Sequence, residues 1–140
     1  MVAGKKVKVV MNRTVYLQKM TFGRYDKTHC LAYLNEEVIE NYVPEDADDD
    51  FVPRTAYAYA GTEPDGGTLI AAADDSRDAL INGVIRARYT QTEEDAIKTH
   101  QIMLLKDPDC DKAADYASEW AAFCVERENA IRTVDGWLAN

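Results

Sequence analysis

The stretch TLIAAADDSRDALINGVI, residues 68–85, decides the fold, because the pattern of apolar residues changes within it. Up to Ala73 the chain consists of short alternating runs separated by turn residues, which is typical of strands. From Ser76 onwards the apolar residues recur with a helical period, between helix start and stop signals. This segregation favours an α+β fold over alternating βαβ units. We therefore predict an N-terminal antiparallel sheet of about four strands, packed against about three C-terminal helices.

The composition is that of one folded domain: 140 residues, of which 46% are apolar and 29% are charged. We predict a single domain over residues 1–140, with a strand-rich half over 1–73 and a helical half over 74–140. No apolar run reaches the ~18 residues that a membrane-spanning helix needs. The apolar stretch near the N-terminus is broken by lysines, unlike a secretory signal. The sequence thus predicts a cytoplasmic protein with no membrane partner.

Short runs predict the strands of the first half. Residues 5–11 mix lysine with valine, and residues 14–22 form a second run, which Asn12 and Arg13 join to the first as a turn. Residues 31–43 fit both a helical face and a strand, so this segment stays ambiguous. The sequence predicts one hairpin here, followed by one further element.

A second hairpin is predicted over residues 54–72. The run RTAYAYA, residues 54–60, alternates strictly and places Tyr57 and Tyr59 on one face of a strand. Turn residues follow at 61–67 (GTEPDGG), where Gly66 is suited to a positive φ. Because tyrosine is common at contact surfaces, Tyr57 and Tyr59 are candidate interaction residues. The alternative is that they cover the helices.

Three helices are predicted in the second half. The first follows a cap at residues 74–76, the second begins at Thr92 and ends before Pro108, and the third spans residues 111–135 with Gly136 as its C-terminal glycine. The third helix carries a seam of apolar and small residues, interrupted by Arg127, at alternating spacings of four and three. These are Ala113, Ala117, Trp120, Cys124, Arg127, Ile131 and Val134. The predicted core consists of Leu80, Ile81, Val84, Ile85, Trp120, Phe123 and Ile131.

The third helix also predicts self-association. A helix of 25 residues spans ~37 Å, which is longer than either of the two shorter helices beside it. Apolar surface would then remain at its C-terminal end, where Trp137 and Leu138 are further candidate interaction residues. The alternative is that the sheet covers this end within one chain.

Catalytic and metal-binding patterns are weak. His29 and Cys30 are adjacent, so a strand would turn them to opposite faces, and His100 lies far away in the sequence. A small enzyme whose site assembles around these three residues is the alternative functional hypothesis. The acidic runs at 46–50 and 107–111 lack the glycine and the final glutamate of a calcium-binding loop. We predict no metal, no cofactor and no catalytic residue, and the sequence leaves a small-molecule ligand open.

Charge is distributed unevenly. Residues 1–27 contain seven bases and one acid, a net charge of +6, whereas the whole chain has −9 and the remaining 113 residues therefore carry −15. An acidic chain is not expected to bind nucleic acid. The tract EDADDD, residues 45–50, instead suggests a third hypothesis, an acidic inhibitor that mimics nucleic acid.

Residues 77–97, RDALINGVIRARYTQTEEDAI, resemble a stretch of small phage- and prophage-encoded proteins, in which a helix of the type ALINxxIRxxY leads into an acidic helix start. The matching residues are Ala79, Leu80, Ile81, Asn82, Ile85, Arg86, Tyr89, Thr92, Glu94, Ala96 and Ile97. The resemblance implies a phage accessory or virion-associated role, and it implies nothing about catalysis. The leading hypothesis is therefore a non-enzymatic protein-interaction module that binds another protein or a second copy of itself.

Overall fold

Two small antiparallel sheets and three helices make up the computed structural model, which describes residues 11–139. The α+β class is confirmed, but the described residues contain six strands where about four were predicted. Two segments that the sequence treated as single elements, 14–22 and 31–43, each contain parts of two strands with a loop between them. The strands are β1 (Asn12–Tyr16), β2 (Phe22–Arg24), β3 (His29–Ala32), β4 (Glu37–Tyr42), β5 (Arg54–Gly61) and β6 (Thr68–Ala71). The first sheet has the order β1-β5-β4 and the second β2-β3-β6.

The described chain divides into two compact units. The strand unit comprises residues 11–25 and 30–69, and the helical unit comprises residues 26–29 and 70–139. The acidic tract 45–50 forms exposed turns in the strand unit, as its self-repulsion predicts.

In the first sheet, β5 is the central strand and pairs with β1 and β4. Asn12 pairs with Gly61 and Arg13 pairs with Ala60, so Asn12 and Arg13 are part of β1. The turn predicted at Asn12 and Arg13 is therefore wrong. The predicted strand over residues 5–11 lies outside the described residues except for Met11, which is not in a strand. On the other side of β5, the register of β4 shifts between Ile39 and Tyr42, which indicates a β-bulge.

The predicted hairpin between β5 and β6 is also wrong, because the two strands belong to different sheets. The turn itself forms: Glu63 N donates to Gly67 O at 2.9 Å, and Gly66 has a φ of 85°. A Cβ at Gly61 would lie 2.1 Å from Gly67 O, so the loop folds back closely on the end of β5. The chain then leaves for the second sheet instead of returning along the first.

The helices are α1 (Arg77–Arg88), α2 (Gln91–Lys106) and α3 (Ala113–Leu138). Ser76 caps α1 as predicted, because its side chain accepts from Ala79 N. Helix α2 begins slightly earlier than predicted, at a capping box formed by Thr90 and Glu93. Helix α3 continues through Gly136 and has its C-cap at Ala139, so the predicted C-terminal glycine is wrong. None of the described helices is long and apolar enough to cross a membrane.

Helices α1 and α2 both pack against α3. At the N-terminal end of α1, Arg77 forms a bidentate ion pair with Asp135. At its C-terminal end, Arg88 Nη2 lies 3.8 Å from Glu126 Oε1. His100, in the second half of α2, bonds to Glu119. Helix α1 therefore runs antiparallel to the C-terminal half of α3, while α2 lies along the N-terminal half. The 12 residues of α1 span ~18 Å and the 16 residues of α2 span ~24 Å. Placed one after the other, the two helices cover about the ~39 Å length of α3.

The helical core forms along one seam of α3. Ile85, Ile97, Phe123 and Ala130 are buried together, with Trp120 partly buried against them. Val134 and Trp137 extend the seam. The observed seam differs from the predicted one, because Phe123, Ala130 and Trp137 are buried where the sequence predicted Cys124, Arg127 and Ile131. Among the predicted core residues, Leu80, Ile85 and Phe123 are buried, and the other four, Ile81, Val84, Trp120 and Ile131, are half-buried.

Candidate functional site

The histidines of the enzyme hypothesis are held by different partners. His29 Nδ1 lies 2.8 Å from Thr28 Oγ1 and 3.2 Å from Asp26 Oδ1. His100 Nδ1 lies 2.5 Å from Glu119 Oε1, and its ring stacks on Tyr116 with centroids 4.3 Å apart. Along β3 the exposure alternates as expected, with Cys30 buried and His29 partly exposed. Each histidine therefore belongs to a local pair with an acid.

Two of the four predicted interaction residues are buried. Tyr59 is 1% exposed and Trp137 is 6% exposed, so neither side chain offers a contact surface. Tyr59 is buried because β5 is the central strand of its sheet, and Trp137 because the seam of α3 reaches it. Tyr57 is half-buried, and Leu138 is exposed. Of the four predicted interaction residues, Tyr57 and Leu138 therefore retain exposed side-chain surface, and the interaction itself stays a prediction.

Three tyrosines of the strand unit, one buried and two half-buried, pack together as a cluster. Strand pairing places Tyr16 on β1 near Tyr59 on β5, and the chain after β3 adds Tyr33. The ring centroids lie 5.9 Å apart for Tyr16–Tyr33, 6.2 Å for Tyr16–Tyr59 and 5.7 Å for Tyr33–Tyr59. The Tyr59 hydroxyl donates to Glu36 Oε2 at 2.7 Å. The Tyr16–Tyr33 and Tyr33–Tyr59 pairs are edge-to-face, an arrangement that aromatic rings favour.

Asp65, in the loop after β5, accepts hydrogen bonds from two tyrosines of the cluster. The Tyr33 hydroxyl donates to Asp65 Oδ2 at 2.7 Å, and the Tyr16 hydroxyl donates to the backbone oxygen of the same residue at 2.5 Å. The bonds from Tyr33 and Gly67 lower the pKa of Asp65. Burial raises the pKa of Tyr33, and the bond to Asp65 raises it further. At neutral pH the carboxylate is therefore charged and the phenol is protonated, which suits a structural clamp.

Beside this cluster lies a cleft of about 360 Å³, which we call the basic cleft. Its lining combines two bases, Lys19 and Arg24, with aromatic, apolar and small residues. These are Met20, Thr21, Phe22, Gly23, Tyr25, Leu31 and Tyr33. Lys19 Nζ lies 3.6 Å from Glu36, whose carboxylate also accepts from Tyr59. Sequence reasoning missed this site because it treated residues 14–22 as one strand. The excess of bases over residues 1–27 was the available signal.

A second surface lies on the outer side of α2. Ile102, Met103 and Leu105 are 58%, 49% and 71% exposed, and we call them the α2 surface. The structure directs Ile97 into the core and leaves His100 half-buried, while Met103 lies on the outer side of the helix. Three large apolar side chains within four residues would have been the signal.

Within residues 11–139, no group of three or more His, Cys, Asp or Glu side chains is placed to hold a metal ion. The basic cleft offers positive charge and aromatic rings, and the α2 surface offers exposed apolar area. No protein-family model, curated protein or solved structure matches this chain.

Proposed function

We propose that this protein is a non-enzymatic protein-interaction module that associates with a second copy of itself through the α2 surface. One observation carries the proposal: Ile102, Met103 and Leu105 are each about half exposed or more, on a single helix. Scattered apolar residues are normal on protein surfaces, whereas a contiguous group is typical of an interaction site. The cost of leaving this group in water is removed when a partner covers it.

The chain offers a surface complementary to the α2 surface. Lys106 follows the exposed apolar residues of α2, and Lys98 before them is paired with Glu94. On α3, Val125 is 58% exposed, with exposed Ala121 one turn before it and exposed Glu128 one turn after it. Apolar residues followed by a base on one helix therefore correspond to apolar residues followed by an acid on the other. A two-fold dimer pairs such unlike surfaces twice, which supports a second copy as the partner.

Sedimentation equilibrium at micromolar concentration tests this proposal. We expect the wild-type chain to have twice its monomer mass of 15.7 kDa. The double variant Ile102→Glu/Leu105→Glu should be monomeric, because two charges would be desolvated at the interface. Val52→Glu is the control, since Val52 is 76% exposed in the strand unit and should leave the dimer intact. A monomeric wild-type chain, or an unchanged dimer in the double variant, contradicts the proposal.

We further propose a phage or prophage accessory role, in the cytoplasm or on the virion. The support is the resemblance of residues 77–97, which form α1 and the beginning of α2. The observation that tests it is the genome neighbourhood of the gene. Flanking tail or capsid genes would support the role, and a metabolic operon would contradict it.

A further inference from the structure

The basic cleft lies over one face of the β2–β3 pair. Gly23 on β2 pairs with Leu31 on β3, and Tyr33 N donates to Thr21 O at 3.0 Å. Residues opposite each other in an antiparallel pair lie on the same face, and so do residues two positions apart along one strand. Thr21, Gly23, Leu31 and Tyr33 therefore share a face, and all four line the cleft.

Both bases of the lining are engaged by the protein itself. Arg24 follows Gly23 in β2, so its side chain belongs to the opposite face, where its pairing partner Cys30 is buried. Arg24 also has an interaction partner. Lys19 Nζ lies 3.6 Å from Glu36 Oε1 and pairs with it. A ligand of the cleft is therefore selected by shape and apolar contact, and it needs no charge of its own.

Gly23 leaves a gap in the side chains of this face. It is exposed, and a Cβ there would meet no atom within 4 Å. Glycine is unfavourable in strands, and a glycine inside a strand often marks a place where a ligand approaches the backbone closely. The backbone of β2 is therefore uncovered between Thr21 and Tyr25, opposite Leu31. A flat group fits such a gap, because it can lie directly on the peptide plane.

The residues around the gap are held in place from outside the cleft. The Tyr33 hydroxyl donates to Asp65 Oδ2 at 2.7 Å, and two tyrosine rings pack against its ring. Leu31 rests on the turn after β5, since a Cβ at Gly67 would lie 2.8 Å from Leu31 Cδ1. Side chains that are already ordered lose little freedom when a ligand binds, which favours binding.

We propose that the basic cleft binds an uncharged aromatic small molecule of one or two rings, which lies flat on the Gly23 backbone in contact with Leu31 and Tyr33. Tyr25 lines the cleft and is 61% exposed, so it supplies a second aromatic ring to the ligand. A volume of about 360 Å³ is near the lower limit of ligand sites, which suits a molecule of this size. The site is independent of the α2 surface, which belongs to the other unit.

NMR titration of the isotope-labelled full chain tests the proposal with phenol, cyclohexanol, indole and N-acetyltryptophanamide. We expect the Gly23 and Leu31 amides to shift, and phenol to bind more tightly than cyclohexanol, which has the same size and hydroxyl group but no flat ring. Indole should bind more tightly than phenol, because it buries more apolar area. Tighter binding of N-acetyltryptophanamide than of indole would keep the site and identify an aromatic protein side chain as the source. Equal affinity for phenol and cyclohexanol, or an unshifted Gly23 amide with indole, would overturn the proposal.

Two variants and a control locate the binding. Gly23→Val fills the gap with a side chain that favours strands, so it should weaken indole binding at least tenfold without lowering the melting temperature. Tyr25→Leu changes an exposed side chain and leaves the strand intact, and it should weaken indole binding several-fold because the second ring is lost. Gln18→Val adds the same side chain as the first variant at an exposed position outside the lining, and it should leave the affinity unchanged. If Gly23→Val and Tyr25→Leu bind indole like the wild type, the cleft is not the site and the proposal fails.

Discussion

At the scale of single residues, Glu94 is the buried charge that joins α1 to α2. Its carboxylate accepts from Arg86 on α1 and from Lys98 one turn further along α2. Glu94→Ala leaves Arg86, itself largely buried, without its partner, so we expect a loss of about 3–5 kcal/mol in the free energy of unfolding. Urea denaturation at pH 7 measures this loss. Glu93→Ala is an exposed control in the same turn that removes only the capping contact and should cost about 1 kcal/mol.

Glu94 also gives a pH dependence. Burial acts to raise the pKa of Glu94, but the bonds from Lys98 and Arg86 together outweigh burial and lower it. Because the folded pKa lies below the unfolded value of about 4.3, the carboxylate stabilises the fold above that pH. This contribution is lost as the pH falls through the folded pKa. The melting temperature of the wild type should therefore fall more steeply than that of Glu94→Ala between about pH 5 and pH 3. Parallel curves would contradict this assignment.

Two helical glycines should respond oppositely to the same change. Gly83 packs on β6, where a Cβ would lie 2.7 Å from Ala71 O, whereas a Cβ at Gly136 meets no atom within 4 Å. Gly83→Ala should lower the free energy of unfolding by about 1–3 kcal/mol, because overpacking outweighs helix propensity. Gly136→Ala should raise it by about 1 kcal/mol, since only propensity changes. Thermal denaturation of both variants compares them, and equal shifts would mean that α1 does not approach β6 so closely.

At the scale of elements, the seam of α3 determines which tryptophan matters. Trp137 is 6% exposed and Trp120 is half-buried. Trp137→Ala should destabilise the protein by about 3–5 kcal/mol, and Trp120→Ala by clearly less. Chemical denaturation followed by circular dichroism measures both. If Trp120→Ala destabilised the protein more than Trp137→Ala, the seam predicted from the sequence would be correct, with Trp120 buried and Trp137 available to a partner.

Comparison of α1 with α3 shows why the start of a helix could be predicted and the orientation of α3 could not. Caps depend on neighbouring residues, so Ser76 identified the start of α1. Two phases of α3 fit the sequence almost equally well, because alanines and apolar residues occur on adjacent faces. Only packing against α1 and α2 selects Phe123 and Trp137 over Cys124 and Ile131.

At the scale of the whole molecule, local patterns predicted the α+β class, while distant pairing decided the sheets. The partner of Asn12 is Gly61, and no turn signal near either residue indicates this. The basic cleft likewise brings Leu31 and Tyr33 to residues 19–25 through the pairing of β2 with β3. The candidate site could therefore be predicted only in part, as an excess of bases. The convergence of those bases with aromatic rings required the fold.

The placement of α1 and α2 in sequence along α3 has a kinetic consequence. Joining α2 to α3 through His100 and Glu119 closes a loop of 19 residues, whereas joining α1 to α3 through Arg88 and Glu126 closes one of 38 residues. Loop-closure entropy then favours the shorter loop by about 0.6 kcal/mol. We expect the α2–α3 hairpin to form first during refolding and to act as a template on which α1 is added. Pulse-labelled hydrogen exchange during refolding measures this order. Protection of the Leu80 amide on α1 before the Ile97 amide on α2 would contradict it.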